Sequence, residues 1–358
     1  MRDYIIRRLL LLIPIMLLVS FMTHATFRVI PGSAAHLICG IGCTEEVVDD
    51  LEADFGLDEN FFQQYGEWLG VWPDDDEGDG RILGFGPRGK FSGVLQGDFG
   101  ESFVTRGESV TDRLSRTLPV TAELMILSLI FSVVLGIPLG VLSAIRPGSL
   151  ADLVGRLTSV AWLSVPNFYL AILVIALGTT WFGQSTNIPP FGDLHIFTLH
   201  WLPPNFGTGK AVGFFEDPLL NLETFFFPSL VLSVGIAAVI MRLTRSSMLE
   251  VMRNDYVRTA WSKGLRERTV VWRHALKNAM IPVLTIIGLQ VGALIGGSVL
   301  IESVFALNGM GAYLLASVIF RDLLVVQSLV LIFALVFVLI NLIVDISYAW
   351  LDPRIRYG

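Results

Sequence analysis

Charge is scarce in this chain of 358 residues: Asp, Glu, Lys and Arg together make up 16%, against about 25% in ordinary soluble domains. Too little charge remains to coat a water-facing surface, which excludes a wholly soluble globular protein. Basic excess is missing as well. The net charge is −7 and no basic stretch is paired with an aromatic platform, so nucleic acid is excluded as a partner. Cysteine is limited to Cys39 and Cys43, too few for a disulfide framework or a four-ligand zinc site. A phosphate-binding loop is lacking too. Gly89-Lys90 is followed by Phe91, and Gly209-Lys210 by Ala211, where the motif needs Ser or Thr. Any use of ATP would therefore require another chain to hydrolyse it.

What the chain holds in quantity is apolar surface: 53% hydrophobic residues and a mean hydropathy of +0.66. That content also excludes intrinsic disorder. A membrane-crossing helix needs about 20 mostly apolar residues. Six stretches meet this: Leu9–Phe27, Leu118–Ile145, Leu157–Phe182, Phe225–Met241, Met280–Leu300 and Leu323–Tyr348. They run continuously rather than alternating residue by residue, which selects helices over barrel strands. The first follows Arg7 and Arg8 like a signal peptide, but its apolar run exceeds the usual 7–15 residues, so it reads as an uncleaved anchor.

Charge sets the expected orientation. Lys and Arg gather before the first stretch, between the second and third, from Arg242 to Lys277, and at Arg354 and Arg356. The positive-inside rule makes all four regions cytoplasmic, with both termini inside. The loop from Pro31 to Thr117 carries 18 Asp or Glu and 6 Lys or Arg, a net of −12. The remainder of the chain is then +5 within the total of −7, a basic inner face concealed by an acidic outer loop.

In that outer loop Thr44 is placed to cap a helix opening on Glu45 and Glu46. Phe61, Phe62, Tyr65, Trp68 and Leu69 recur at helical spacing in a second. The run from Asp74 to Gly80 reads as a charged spacer rather than a calcium loop, because the position that needs a bidentate Glu is Gly86. Cys39 and Cys43 face the oxidising side, where their spacing suits either a small disulfide loop or two idle thiols. His195 and His200 lie in a loop with no regular scaffold, so no metal site is assigned.

Polar groups inside the apolar stretches are His24, Glu123, Gln290, Ser298, Asn341 and Asp345. Each fits a substrate pathway or a structural role, and no pairing among them resembles an intramembrane hydrolase. Glu123, Gln290, Ser298 and Glu302 are the candidates for a pathway or gate. Gly288, Gly292 and Gly296 stand at four-residue spacing in the fifth stretch, and Gly136 and Gly140 repeat this in the second. Such stripes let helices approach closely. Between the fourth and fifth stretches, Asp255 to Leu265 reads as a short helix stopped by Gly264. A second amphipathic stretch, Arg268 to Asn278, leads into Pro282.

That ordered pattern resembles the permease subunits of ATP-binding-cassette importers in the dipeptide, oligopeptide and nickel branch. Asp255-Tyr256-Val257-Arg258-Thr259-Ala260-Trp261-Ser262-Lys263-Gly264-Leu265 is similar to the family's cytoplasmic EAA loop, with Trp261 and Ser262 departing from it. Arg273 to Ala279 with Pro282, Glu302 to Gly311 (with Asn308 where the family has Pro), and Asp352 to Tyr357 resemble further family segments. So do Gly97 to Ser102 and Leu118 to Leu124.

The resemblance implies an all-α polytopic membrane protein of about six transmembrane helices, with the type I importer transmembrane-domain fold, in the inner or plasma membrane. Its implied organisation is an anchor at 1–30, an acidic outer loop at 31–117, a permease core at 118–350 containing a coupling loop at 242–279, and a cytoplasmic tail at 351–358. The implied partners are a second permease, giving a heterodimer, two ATPase subunits that hold ATP and Mg, and an extracytoplasmic binding protein. The chain itself holds no cofactor and makes or breaks no bond. Asp255, Tyr256, Arg258, Thr259, Ala260, Lys263 and Gly264 form the implied coupling loop, with Ala260 small enough to dock closely in a partner's groove. The implied cargo is a di- or oligopeptide, with nickel, glutathione or an oligosaccharide as alternatives.

Overall fold

The computed structural model describes residues 2–29, 44–54, 60–72, 93–102, 104–105, 108–181 and 213–351, with Ala35 and Cys39. Helices dominate. In chain order they are α1 (Arg2–Val29), α2 (Glu45–Asp54), α3 (Phe61–Leu69), α4 (Val110–Ile145), α5 (Leu150–Ser164), α6 (Asn167–Trp181), α7 (Pro218–Val251), α8 (Asp255–Ser262), α9 (Glu267–Val304), α10 (Met310–Ile319) and α11 (Leu323–Leu351). The β pairing among the described residues is a single bridge, Glu101 to Ser109. The acidic spacer, His195, His200, Cys43 and the C-terminal Asp352–Tyr357 lie outside the described residues.

Among the described residues five helices are long and apolar enough to cross a membrane, and six if one bent pair counts as a span. The bent pair is the third apolar stretch. It is not one continuous helix: α5 and α6 meet at 96°. The cause is Pro166, which has no N–H to continue the helical ladder and whose ring pushes the preceding residue toward extended backbone. Val165 accordingly has φ −103° and ψ 122°. Pro14, Pro228 and Pro282 by contrast lie inside helices that continue past them.

The chain divides into two compact units, Met1–Pro119 with Gly309–Val338, and Val120–Asn308 with Leu339–Gly358. In the first unit the aromatic helix α3 seats on α1. Asn60 caps α3 by accepting from the Phe62 N–H, and Gly70 ends it at φ 81°. Phe61 and Tyr65 then meet Phe21, each with ring centroids 5.5 Å apart. Tyr65 Oη lies 2.7 Å from Ser20 Oγ and donates to the Leu17 carbonyl at 3.2 Å. His24, almost fully buried, meets the Phe61 ring and has Nδ1 3.2 Å from Gln327 Oε1. The polar groups of α1 thus hold α3 and α11.

The second unit is organised around a seam between α4 and α7. Lipid tails are as apolar as Leu, so helices in a bilayer associate through close packing and hydrogen bonds rather than hydrophobic transfer. Ser128, Ser132, Gly136 and Gly140 repeat every fourth residue along α4. A Cβ on Gly136 would fall 2.8 Å from the Ala237 carbonyl oxygen, and one on Gly140 2.6 Å from that of Met241. Ser132 Oγ donates to the Ser128 carbonyl within its helix and lies 3.2 Å from the Ser233 carbonyl across the seam. Around this seam pack Leu124, Phe225, Leu232, Ile240, Leu294 and Ile301.

Along the expected stripe of Gly288, Gly292 and Gly296 the three positions differ in burial. Gly288 is buried, but Gly292 is only half-buried and Gly296 is exposed with open space where a Cβ would stand. Its neighbour Gly297 makes the contact instead, 2.6 Å from Leu232 Cδ1. A four-residue step advances about 40° around a helix, so the stripe drifts off the packed face.

Candidate functional site

The short helix α8 forms as its local chemistry dictates. Asn254 opens it in extended backbone, with φ −72° and ψ 147°. Gly264 closes it at φ 72°, its N–H bonded to the Trp261 carbonyl at 3.0 Å. Such left-handed backbone is what an Ala or larger residue resists. One face is buried: Val257 and Ala260 pack on Val270 at the start of α9. The opposite face exposes Tyr256 and Trp261 beside Arg258, Thr259 and Lys263. Asp255 and Arg258 sit 3.7 Å apart in full solvent, an ion pair of little energetic weight.

Ala260 is therefore not the docking surface that its size suggested. Its methyl faces the chain's own Val270, and what an incoming partner would meet is aromatic and cationic. Tyr256 is also fixed from behind, its hydroxyl accepting from Asn278 Nδ2 at 2.7 Å.

Beneath α8, the expected second stretch is the beginning of one long helix. α9 runs for 38 residues from Glu267 to Val304, with a π-helical segment at Val270–Ala275. Val271, Ala275 and Ala279 of this segment and its continuation pack with Val141 and Ala144 of α4 and Met248 of α7. The surface that carries Tyr256 and Trp261 thus rests on a rod that continues through the apolar part of the unit.

A second ionic feature was not singled out from the sequence. Asp152, in the first turn of α5 and almost fully buried, accepts from Arg245 Nε at 2.6 Å and Nη2 at 3.0 Å. It also accepts from the Gly148 N–H at 3.0 Å and Ser143 Oγ at 3.1 Å. The pair ties α7 to the link between α4 and α5. One local signal was available: Ser149 and Asp152 have the Ser-x-x-acidic spacing of a helix start, and Ser149 Oγ does accept from the Asp152 N–H at 3.3 Å.

The pathway candidates separate. Glu302 and Ser298 have no exposed surface. Thr121 Oγ1 donates to Glu302 Oε1 at 2.7 Å, and Ser298 Oγ donates to the Ile295 carbonyl of its own helix at 2.9 Å. Both side chains are thus engaged in packing contacts inside the second unit. Glu123 and Gln290 are half-buried, and Glu123 is hydrogen-bonded by Asn221. Asn341 is half-buried too, and the side chain of Asp345 lies outside what is described. Cys39 is disulfide-bonded.

Comparison with known proteins fits this geometry to a family. Residues 136–357 match the model of the binding-protein-dependent transport system inner membrane component, and residues 1–125 match its N-terminal counterpart. A dipeptide transport system permease protein of Alkalihalophilus pseudofirmus is 34% identical, with 100% of both chains covered. A glutathione transport system permease protein of Escherichia coli is 35% identical, again over 100% of both. Among solved structures, an inward-facing methionine ABC transporter aligns at TM-score 0.48 and 18% identity, covering 67% of this chain and 96% of that one. The chain belongs to the family of binding-protein-dependent transport inner membrane components, as a multi-pass permease subunit of an ABC importer in the cell membrane.

Proposed function

We propose that this permease forms half of the pathway of an ATP-driven importer for di- or oligopeptides. Peptide cargo is supported by the dipeptide permease and the glutathione permease, which are alike in identity and coverage; glutathione is itself a small peptide. In this reading an extracytoplasmic binding protein delivers the cargo, a second permease completes the pathway, and two ATPase chains hold ATP and Mg. Both termini and α8 lie on the cytoplasmic side, where the basic residues gather.

The observation that carries the coupling role is the seating of α8 on the start of α9. Its exposed Tyr256, Trp261, Arg258 and Lys263 offer a partner both apolar grip and positive charge, while buried Val257 and Ala260 transmit any displacement to a helix of 38 residues. Co-expression with the second permease, the ATPases and the binding protein tests this. Cells carrying the complete complex should accumulate a labelled dipeptide, with glutathione as competitor. An intact complex that accumulates neither would overturn the cargo, and failure of the ATPases to co-purify would overturn the importer reading of α8.

A further inference from the structure

Where α4 ends, a cavity of about 410 Å³ opens between its last turn, the start of α5 and the start of α9. Its lining is of two kinds. Leu142 and Ile145 come from the last turn of an apolar span, and Leu142 keeps 54% of its surface exposed. Trp272 of α9, 45% exposed, adds an indole. Beside these stand the exposed guanidinium groups of Arg146 and Arg268, neither ion-paired with another described residue. Glu267 is the carboxylate on the lining, leaving a local excess of one positive charge. The cavity also reaches Ala151 in the first turn of α5, the positive end of a helix dipole.

We propose that this cavity binds an anionic phospholipid, its phosphate between Arg146 and Arg268 and its first acyl carbons against Leu142, Ile145 and Trp272. Exposed Trp beside exposed Leu at the end of a span is the chemistry of the membrane interface, and basic pockets at helix ends take phospholipid headgroups. A free soluble anion would make no use of the apolar wall, and a zwitterionic lipid would leave the positive excess unanswered. The site concerns the bilayer and stands whatever the importer carries.

The test uses the full chain in phosphatidylcholine vesicles containing brominated phosphatidylglycerol or brominated phosphatidylcholine. Trp272 emission is isolated as the difference between wild type and Trp272→Phe. Each basic residue near an anionic surface is worth about fivefold in lipid partition, so the net charge predicts about a fivefold preference for phosphatidylglycerol. Arg146→Gln with Arg268→Gln leaves Glu267 as the lining charge and should reverse the preference to about fivefold against phosphatidylglycerol, the corresponding Lys pair should keep it, and Glu267→Gln should raise it to about 25-fold. The Lys pair and Glu267→Gln decide the matter even if the Gln pair fails to insert. Equal quenching by the two lipids in wild type, or a preference unmoved by Glu267→Gln, overturns the proposal. Displacement of the lipid by inorganic phosphate overturns it in favour of a soluble anion.

Discussion

Arg245 grips Asp152 through two nitrogens, at 2.6 and 3.0 Å, across 93 positions of sequence. Asp152 is almost fully buried, whereas the Arg245 side chain is about a quarter exposed. The two are therefore unequal to substitution. Arg245→Met leaves a buried carboxylate with only the more exposed Arg156, 3.6 Å away, as its cation, whereas Asp152→Asn keeps the shape and leaves a guanidinium that reaches water. Thermal unfolding of the purified protein should rank Arg245→Met below Asp152→Asn, and the double variant should recover stability relative to Arg245→Met alone. Additive losses would show that the pair does not act as a unit.

The α4–α7 seam predicts a contrast between glycines. A valine at Gly140 meets backbone at 2.6 Å that cannot withdraw without parting the helices, and overpacking of this kind costs about 1–3 kcal/mol or more. Gly296→Ala meets open space inside a helix and should stabilise by about 0.5–1 kcal/mol. Equal tolerance of both, read from denaturation in detergent, would mean that the seam is not closely packed.

Gly264 has nothing within 4 Å of a would-be Cβ, so its constraint is backbone alone. Gly264→Val should cost roughly 1–2 kcal/mol of local stability in the left-handed region. Gly264→Asn should be far milder, since Asn visits that region readily. In the assembled importer the Val variant should lose coupling between ATP hydrolysis and uptake while membrane yield holds. Equal uptake by the Val and Asn variants would remove the end of α8 from the mechanism.

Ala306 ends α9 at φ 53°, with the Leu307 N–H closing back on the Glu302 carbonyl at 2.8 Å. Ala306→Gly relieves that conformation and should stabilise by about 1 kcal/mol or less, because the unfolded chain gains freedom in return. A destabilised variant would show that the alanine methyl contributes more than its backbone costs.

Tyr65 links α3 to α1. Burial holds its hydroxyl above its ordinary pKa, with the Ser20 hydrogen bond working weakly the other way. A raised folded pKa means that its contribution is complete below the ordinary tyrosine value and is lost as pH climbs through the folded one. Tyr65→Phe should cost about 0.5–1.5 kcal/mol near neutrality and should flatten the alkaline fall in stability. An alkaline profile identical to wild type would detach Tyr65 from it.

Features governed by short-range backbone chemistry are legible in the amino-acid sequence. Gly264 needs only its own φ to stop α8, and the α3 aromatics need only helical spacing to share a face. Features governed by tertiary packing are not. The residues that give the π-helical segment its place, Val270, Val271 and Ala275, look like any apolar run. Asp152 and Arg245 each sit among other charges and look solvated until α5 and α7 are brought together. The glycine stripes show the same limit from another side. Identical four-residue spacing closes a seam in α4, where α7 follows the inclined row, and in α9 runs from buried Gly288 to Gly296, where a Cβ would meet open space.

The π-helical segment at the head of α9 fixes rotational phase as well as position. Each residue in a helix turns the chain by about 100°, and a π turn accommodates one residue more than an α turn. Deleting one residue between Val270 and Ala275 would restore an unbroken α-helix and shorten it hardly at all. The platform under α8 would keep nearly the same angle about the rod, because the widened turn already absorbs the extra residue. Two permeases whose loops differ by a single residue here present their aromatic and cationic faces in nearly the same direction only if the longer one keeps the widened turn, so a loop graft must carry that turn together with the residue it absorbs.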